Sequence, residues 1–115
     1  MNVDLDALKT AALLHDIARV REFNDNTGSI DHSVLGAEMA DKILRTLGYS
    51  EKITHVKHCI PAHHFRSKVK PQTKEAKILF DADELDVLGA IGVARSFMIA
   101  CQYGQKIYSD ISIQE

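Results

Sequence analysis

Ala11-Ala12-Leu13-Leu14-His15-Asp16-Ile17-Ala18 decides the reading of this chain, because a histidine and a carboxylate interrupt an apolar helical run. Burying an ionised carboxylate without a partner is costly, so the pair calls for a cation or a bound metal. A second acidic intrusion, Asp81-Ala82-Asp83-Glu84-Leu85-Asp86, lies between Ile78-Leu79-Phe80 and Val87-Leu88. Asp83 follows Leu79 and Phe80 and precedes Val87 by three or four residues, which puts it near the apolar face of a helix and predicts that it faces inward. Two such intrusions point to one shared site.

Working outward, Leu5, Leu8 and Ala12, then Val34, Ala37, Met39, Ile43 and Leu47, recur at helical spacing, with no sustained period-two alternation. The chain reads as all-α. The spacing predicts a first helix capped near Asp4 and running to about Arg21, then a turn-rich loop, Asn24-Asp25-Asn26-Thr27-Gly28-Ser29. Asp31 or Ser33 caps the second helix, which Gly48 closes. A third runs from Ser50 to roughly His63, with Pro61 expected to kink or end it. A basic loop spans Arg66 to Pro71, Thr73 caps a fourth helix reaching about Leu88, and a fifth runs from near Gly89 to Gln102, terminated by Gly104. Residues 1–106 are expected to form one helical domain and 107–115 a tail that frays.

Fourteen basic and sixteen acidic residues leave no global field that would favour nucleic acid or an anionic membrane. Met1 is followed by Asp4 and Asp6, and no long uncharged stretch occurs, so a cytoplasmic protein without membrane attachment is expected. Cys59 and Cys101, the only cysteines, are expected to be buried free thiols rather than a disulfide.

Imidazole and carboxylate together suit divalent metals such as zinc, manganese or iron. The ordinary alternative for Asp16 and Asp83 is pairing with Arg19, Arg21 or Arg95. Taken together, flanked on both sides by apolar residues, they favour the metal. Six histidines are present, four of them in the stretch His55, His58, His63, His64. His55, Cys59 and His63 fall at four-residue steps, yet Pro61 interrupts them and the thiolate-rich set of a structural zinc site is missing. His32 alone is as compatible with a cap as with a ligand. Arg66, Lys68, Lys70, Lys74 and Lys77 make a basic run that would neutralise phosphate oxygens if it folds back over the site, and is otherwise a solvated charge run.

Leu13-Leu14-His15-Asp16-Ile17-Ala18-Arg19 resembles the signature of the HD-domain metal-dependent phosphohydrolases. His32-Ser33-Val34-Leu35-Gly36-Ala37-Glu38, Ile60-Pro61-Ala62-His63-His64 and Asp81 to Asp86 followed by Gly89-Ala90-Ile91-Gly92 resemble that family's later segments, in the same order. The resemblance is closest to its small nucleotide-hydrolysing branch. It implies that His15, Asp16 and Asp83 are metal ligands, that Asp16, Arg19 and His63 carry the catalysis, and that His32 and His63, or His64 in place of His63, bind a second metal or a phosphate; Lys68 of the basic loop is a further candidate for the phosphate. Asp86 is expected to support the shell. The cofactor implied is a divalent cation: manganese, magnesium, iron, zinc or nickel.

The family's leading histidine, on a helix well upstream of the doublet, has no counterpart in the fourteen residues before His15. A helical bundle of about five helices, truncated at its N-terminus, is therefore expected, with an open apolar face on the first helix that a homodimer would bury. The function implied is divalent-metal-dependent hydrolysis of a nucleotide or related phosphate ester or anhydride. The alternative is a catalytically weak or inactive HD-like binding or assembly module whose carboxylates are satisfied by arginines. RNA contact through Arg66 to Lys77 ranks last.

Overall fold

Asp4 begins the first helix by accepting the N–H of Ala7 at 3.0 Å, the side-chain cap that releases a chain into helix. A computed structural model describes residues 2–106; the expected tail at 107–115 lies outside the described residues. The elements are α1 (Leu5–Leu14), α2 (Arg19–Phe23), α3 (His32–Thr46), a 3-10 turn (Ser50–Lys52), α4 (Ile53–His63), α5 (Lys74–Asp86) and α6 (Gly89–Gln102). Five of these are long helices, and no strand occurs among the described residues. The all-α reading is correct. No helix among the described residues is long and apolar enough to cross a membrane.

The first helix is not continuous to Arg21. It stops at Leu14, and residues 15–18 form tight turns in which Ile17 N–H donates to Leu14 and Arg19 N–H to Asp16. The His15 imidazole bonds the Ala12 carbonyl at 2.8 Å, the acceptor that the Asp16 N–H would take if the helix went on. The fourth expected helix is also shorter, ending at Asp86 rather than Leu88. Pro61 does not end α4 at once: the helix carries on to His63 and leaves helical geometry at His64.

The chain divides into two compact units, residues up to Asp83 and residues from Glu84 onward. In the first, α4 packs against both α1 and α3. Its buried apolar residues Ile53, Val56, Cys59, Ile60 and Ala62 form one cluster with Ala7 and Ala11 of α1 and Ala37, Ala40 and Leu44 of α3. Alanines at these crossings let the backbones come close. The open face expected on α1 is seen at Leu13, which is 84% exposed and lines an apolar groove of about 270 Å³ with Leu14, Ile43, Leu47 and Tyr49.

Long-range polar bonds tie down the N-terminal end. Glu75, 5% exposed, accepts the Asp4 N–H at 2.6 Å and His55 Nε2–H at 2.9 Å, while Lys52 Nζ donates to Asp4 at 2.8 Å. The start of α1 is thereby fastened to α4 and α5. His55 and Cys59 are thus spoken for structurally, Cys59 lying 4.0 Å from the Thr73 hydroxyl. Cys101, expected to be buried, is exposed.

In the second unit a positive φ at Gly89 turns the chain into α6, and a Cβ on Gly92 would sit 1.9 Å from the Val87 carbonyl. Only glycine fits there. Arg95 Nη1 donates to Asp86 at 2.5 Å.

The bond from the Asp4 backbone, helped by His55, holds the Glu75 carboxyl below its ordinary pKa of 4.5. A carboxylate lowered on folding contributes stability above its unfolded pKa and loses it as pH falls through the folded value. Glu75→Ala is therefore expected to cost roughly 1–3 kcal/mol near neutrality through the unmet Asp4 and His55 donors, with the deficit shrinking below pH 4.5. Urea unfolding from pH 3 to 7 checks this; a deficit independent of pH would contradict it.

Candidate metal centre

The break after Leu14 orients the doublet. His15 donates from Nδ1 to the Ala12 carbonyl, so its Nε2 lone pair faces away from α1. That Nε2 lies 3.8 Å from Asp16 Oδ2 and 3.8 Å from Asp83 Oδ1. From the end of α4, His63 directs Nδ1–H onto the Ile60 carbonyl and brings Nε2 to 4.0 Å from Asp16 Oδ1. From the start of α3, His32 brings Nε2 to 3.6 Å from the same Asp16 oxygen. The rings of His15 and His63 stand edge to face at 4.9 Å, and those of His32 and His63 at 5.7 Å.

Two local devices deliver these residues. Asp31 caps α3 by accepting the N–H of Ser33 at 2.8 Å, which fixes His32 as its first residue. The preceding loop is gathered by the Asp25 carboxylate, which accepts from Thr27, Ser29 and Ile30; those bonds hold its pKa far below the usual carboxylate range. Gly36 lets α3 pass the doublet closely, since a Cβ there would already lie 3.4 Å from the His15 carbonyl and 3.4 Å from Ile60.

Burial is distributed differently from the sequence expectation. The carboxylates are not sunk in the core: Asp16 and Asp83 have side chains 43% and 41% exposed, and His15 24%. The buried groups are His32 and His63, each about 1% exposed. Asp83 is thus at the rim rather than facing inward, and the histidines bear the desolvation. Burial, foremost, holds the His63 imidazole below the ordinary histidine range, against the pull of the Ile60 carbonyl.

The donor set fits a divalent cation. Separations of 3.6–4.0 Å are too long for hydrogen bonds, but ligands each about 2.1 Å from one ion stand about 3–4 Å apart. His15, Asp16 and His63 offer atoms all within 4.8 Å of one another. His32 Nε2 is buried with no hydrogen-bond partner in the protein, a costly state that an ion or ligand would relieve. The arginine alternative is met only in part at Asp16, where Arg19 Nε makes a 3.7 Å ion pair while its Nη1 bonds Glu22 at 3.0 Å.

The remaining expected residues lie further out. His64 accepts the Arg66 N–H at Nδ1, sits 4.9 Å from the His32 ring and stacks on Phe65. Burial and the charges of His32 and Arg19 lower its pKa. Lys68 is exposed on the loop after α4. Asp86 accepts a hydrogen bond from Arg95 Nη1. Glu22, which the sequence reading passed over, bonds both Arg19 and His32. Its only sequence signal is the three-residue step from Arg19.

The HD-domain family model matches residues 1–88. The chain belongs to the HD-domain family. HD domains bind divalent metals and form a superfamily of metal-dependent phosphohydrolases. The uncharacterized protein YpgQ of Bacillus subtilis is 34% identical over 111 residues, covering 93% of this chain and 51% of YpgQ. Ribonuclease Y of Chloroflexus aurantiacus is 38% identical over 85 residues, and that of Borreliella burgdorferi 37% over 86; these cover 74% of this chain and 14% and 15% of theirs. This HD domain thus spans about half of YpgQ and a small part of each ribonuclease. No solved structure matches it.

Gly36→Leu is expected to leave the helical content intact by circular dichroism and to weaken Mn2+ binding at least about tenfold, because a side chain there must push the doublet from α3. Calorimetric titration with Mn2+ checks it; unchanged affinity would contradict the role given to the close approach.

Proposed function

We propose that this HD domain hydrolyses a phosphate ester or anhydride of a nucleotide or a related small phosphorylated molecule. The observation that carries the reading is the convergence of the His15, His32 and His63 Nε2 atoms on the Asp16 carboxylate, with His32 Nε2 buried and unmet.

His15, Asp16, His63 and Asp83 would hold the cation, with His32 beside them. A bound divalent cation supplies a water acidic enough to attack at neutral pH and a Lewis acid for the phosphoryl oxygen. The chain's own residues do the rest. Nδ1 bonds to Ala12 and Ile60 keep the His15 and His63 rings oriented, so little reorganisation is needed when substrate arrives. Arg19 is half exposed at the rim, placed to donate to phosphate oxygens, and Arg66 and Lys68 add positive charge from the following loop. The half-exposed carboxylates leave the site open on one side, as a phosphate-bearing substrate requires.

RNA is a second reading, favoured by one feature. Phe65 is 58% exposed, with His64 stacked on its ring and the Arg66 guanidinium 5.1 Å from its centroid, an arrangement suited to a nucleobase. The name Ribonuclease Y, carried by several relatives, accords with this.

The test is phosphate release from a panel of nucleoside mono-, di- and triphosphates, with a short oligoribonucleotide alongside, under Mn2+, Mg2+, Fe2+, Zn2+ or Ni2+. Turnover by the wild type is expected, with Asp16→Ala and His63→Ala lowering kcat at least about a thousandfold. Cleavage of the oligonucleotide alone would favour RNA. Absence of metal binding and turnover across the panel would leave a binding or assembly module.

A further inference from the structure

The imidazole of His32 is contested. Its Nδ1 lies 2.9 Å from a Glu22 carboxylate oxygen and 3.0 Å from Arg19 Nη1, and these partners demand opposite things. Glu22 can only accept, so it requires a proton on Nδ1; Arg19 can only donate, so it requires a bare Nδ1. A neutral ring satisfies one of them, and the choice decides the chemistry of Nε2. With the proton on Nδ1, Nε2 is a lone pair able to ligate a metal; with Nδ1 bare, Nε2 carries a proton and can only donate, as to a phosphate oxygen.

The surroundings favour the carboxylate. Glu22 also accepts the His32 backbone N–H at 3.2 Å, so its position is fixed to the same residue from two directions. Arg19 has another partner, since its Nη1 donates to the second Glu22 oxygen at 3.0 Å, and its side chain is 50% exposed and able to move. A charged carboxylate against a ring N–H is the stronger bond. His32 itself cannot turn away, being 1% exposed.

We propose that Glu22 is a positioning residue that keeps the His32 proton on Nδ1, so that the buried Nε2 is held as an electron-pair donor beside Asp16, and that by taking Arg19 Nη1 it parks that guanidinium at the rim of the site. His32 then belongs to the metal side of the centre and not to the phosphate side. The inference rests on the metal-centre reading for its purpose, but its structural content concerns the metal-free protein.

The experiment is long-range proton–nitrogen correlation NMR on the metal-free protein at pH 8, with His32 assigned through His32→Gln. A protonated Nδ1 and a bare Nε2 are expected in the wild type. In Glu22→Gln the negative charge that holds the proton on Nδ1 is lost while Arg19 still offers a donor there, so the tautomer balance is expected to shift toward a proton on Nε2, and Mn2+ affinity by calorimetry is expected to fall about 10–100-fold. Glu22→Asp should retain part of that affinity. A wild-type ring with bare Nδ1 overturns the proposal, as does a Glu22→Gln protein with the wild-type tautomer and unchanged Mn2+ affinity. If Glu22→Gln does not fold, the wild-type spectrum decides alone. Failure to hydrolyse any phosphate compound would leave these results intact, so the two readings fail separately.

Discussion

The site depends on where three imidazoles put their Nδ1 protons. His15 gives its proton to the Ala12 carbonyl, His63 to the Ile60 carbonyl, and His32 has Glu22 beside the same atom. Each of these bonds turns the opposite nitrogen toward Asp16. In a protein interior such bonds do two things at once: they satisfy a ring that burial would penalise, and they choose which nitrogen is basic. Without them nothing would decide which nitrogen of each ring carries the proton. With them, imidazole and carboxylate lone pairs face one another across 3.6–4.0 Å, an arrangement that suits a cation.

The same bond at His15 has a second effect, on the backbone. With the Ala12 carbonyl taken by the His15 ring, α1 ends at Leu14, well short of the expected Arg21, and the doublet enters the tight turns at residues 15–18. α3 passes this corner at a distance where a Cβ on Gly36 would just touch the His15 carbonyl and Ile60 and nothing larger would fit, and α4 can approach because its neighbours contribute mostly alanine. Packing by small residues therefore serves the site directly. It shortens the distance between three helices until side chains as short as aspartate and histidine meet.

Helix type, caps and most boundaries were legible in the sequence because they rest on local rules: Asp4, Asp31 and Thr73 each cap where the spacing put them. The interruption after Leu14 was not legible, since it depends on a side chain competing with its own backbone. Nor was the location of burial. Apolar neighbours on both sides of Asp16 and Asp83 suggested sunken carboxylates, whereas Leu13, Leu85 and Val87 are themselves exposed, so the periodicity overstated how much of those faces is covered. The joining of the doublet with Asp83 was legible in the two acidic intrusions, whereas the place of His32 and His63 beside them followed from the family resemblance and not from spacing. Glu22 escaped because its role exists only once α2 and the start of α3 are side by side.

The central claim is that one divalent cation is shared by His15, Asp16, His63 and Asp83. Crystals grown with Mn2+ and measured on both sides of the manganese absorption edge test it most directly. The account predicts a single strong anomalous peak within about 2.0–2.4 Å of the His15 and His63 Nε2 atoms and of an oxygen from each aspartate. A map with no peak there, and the Arg19 guanidinium bonded to Asp16 in its place, would contradict it.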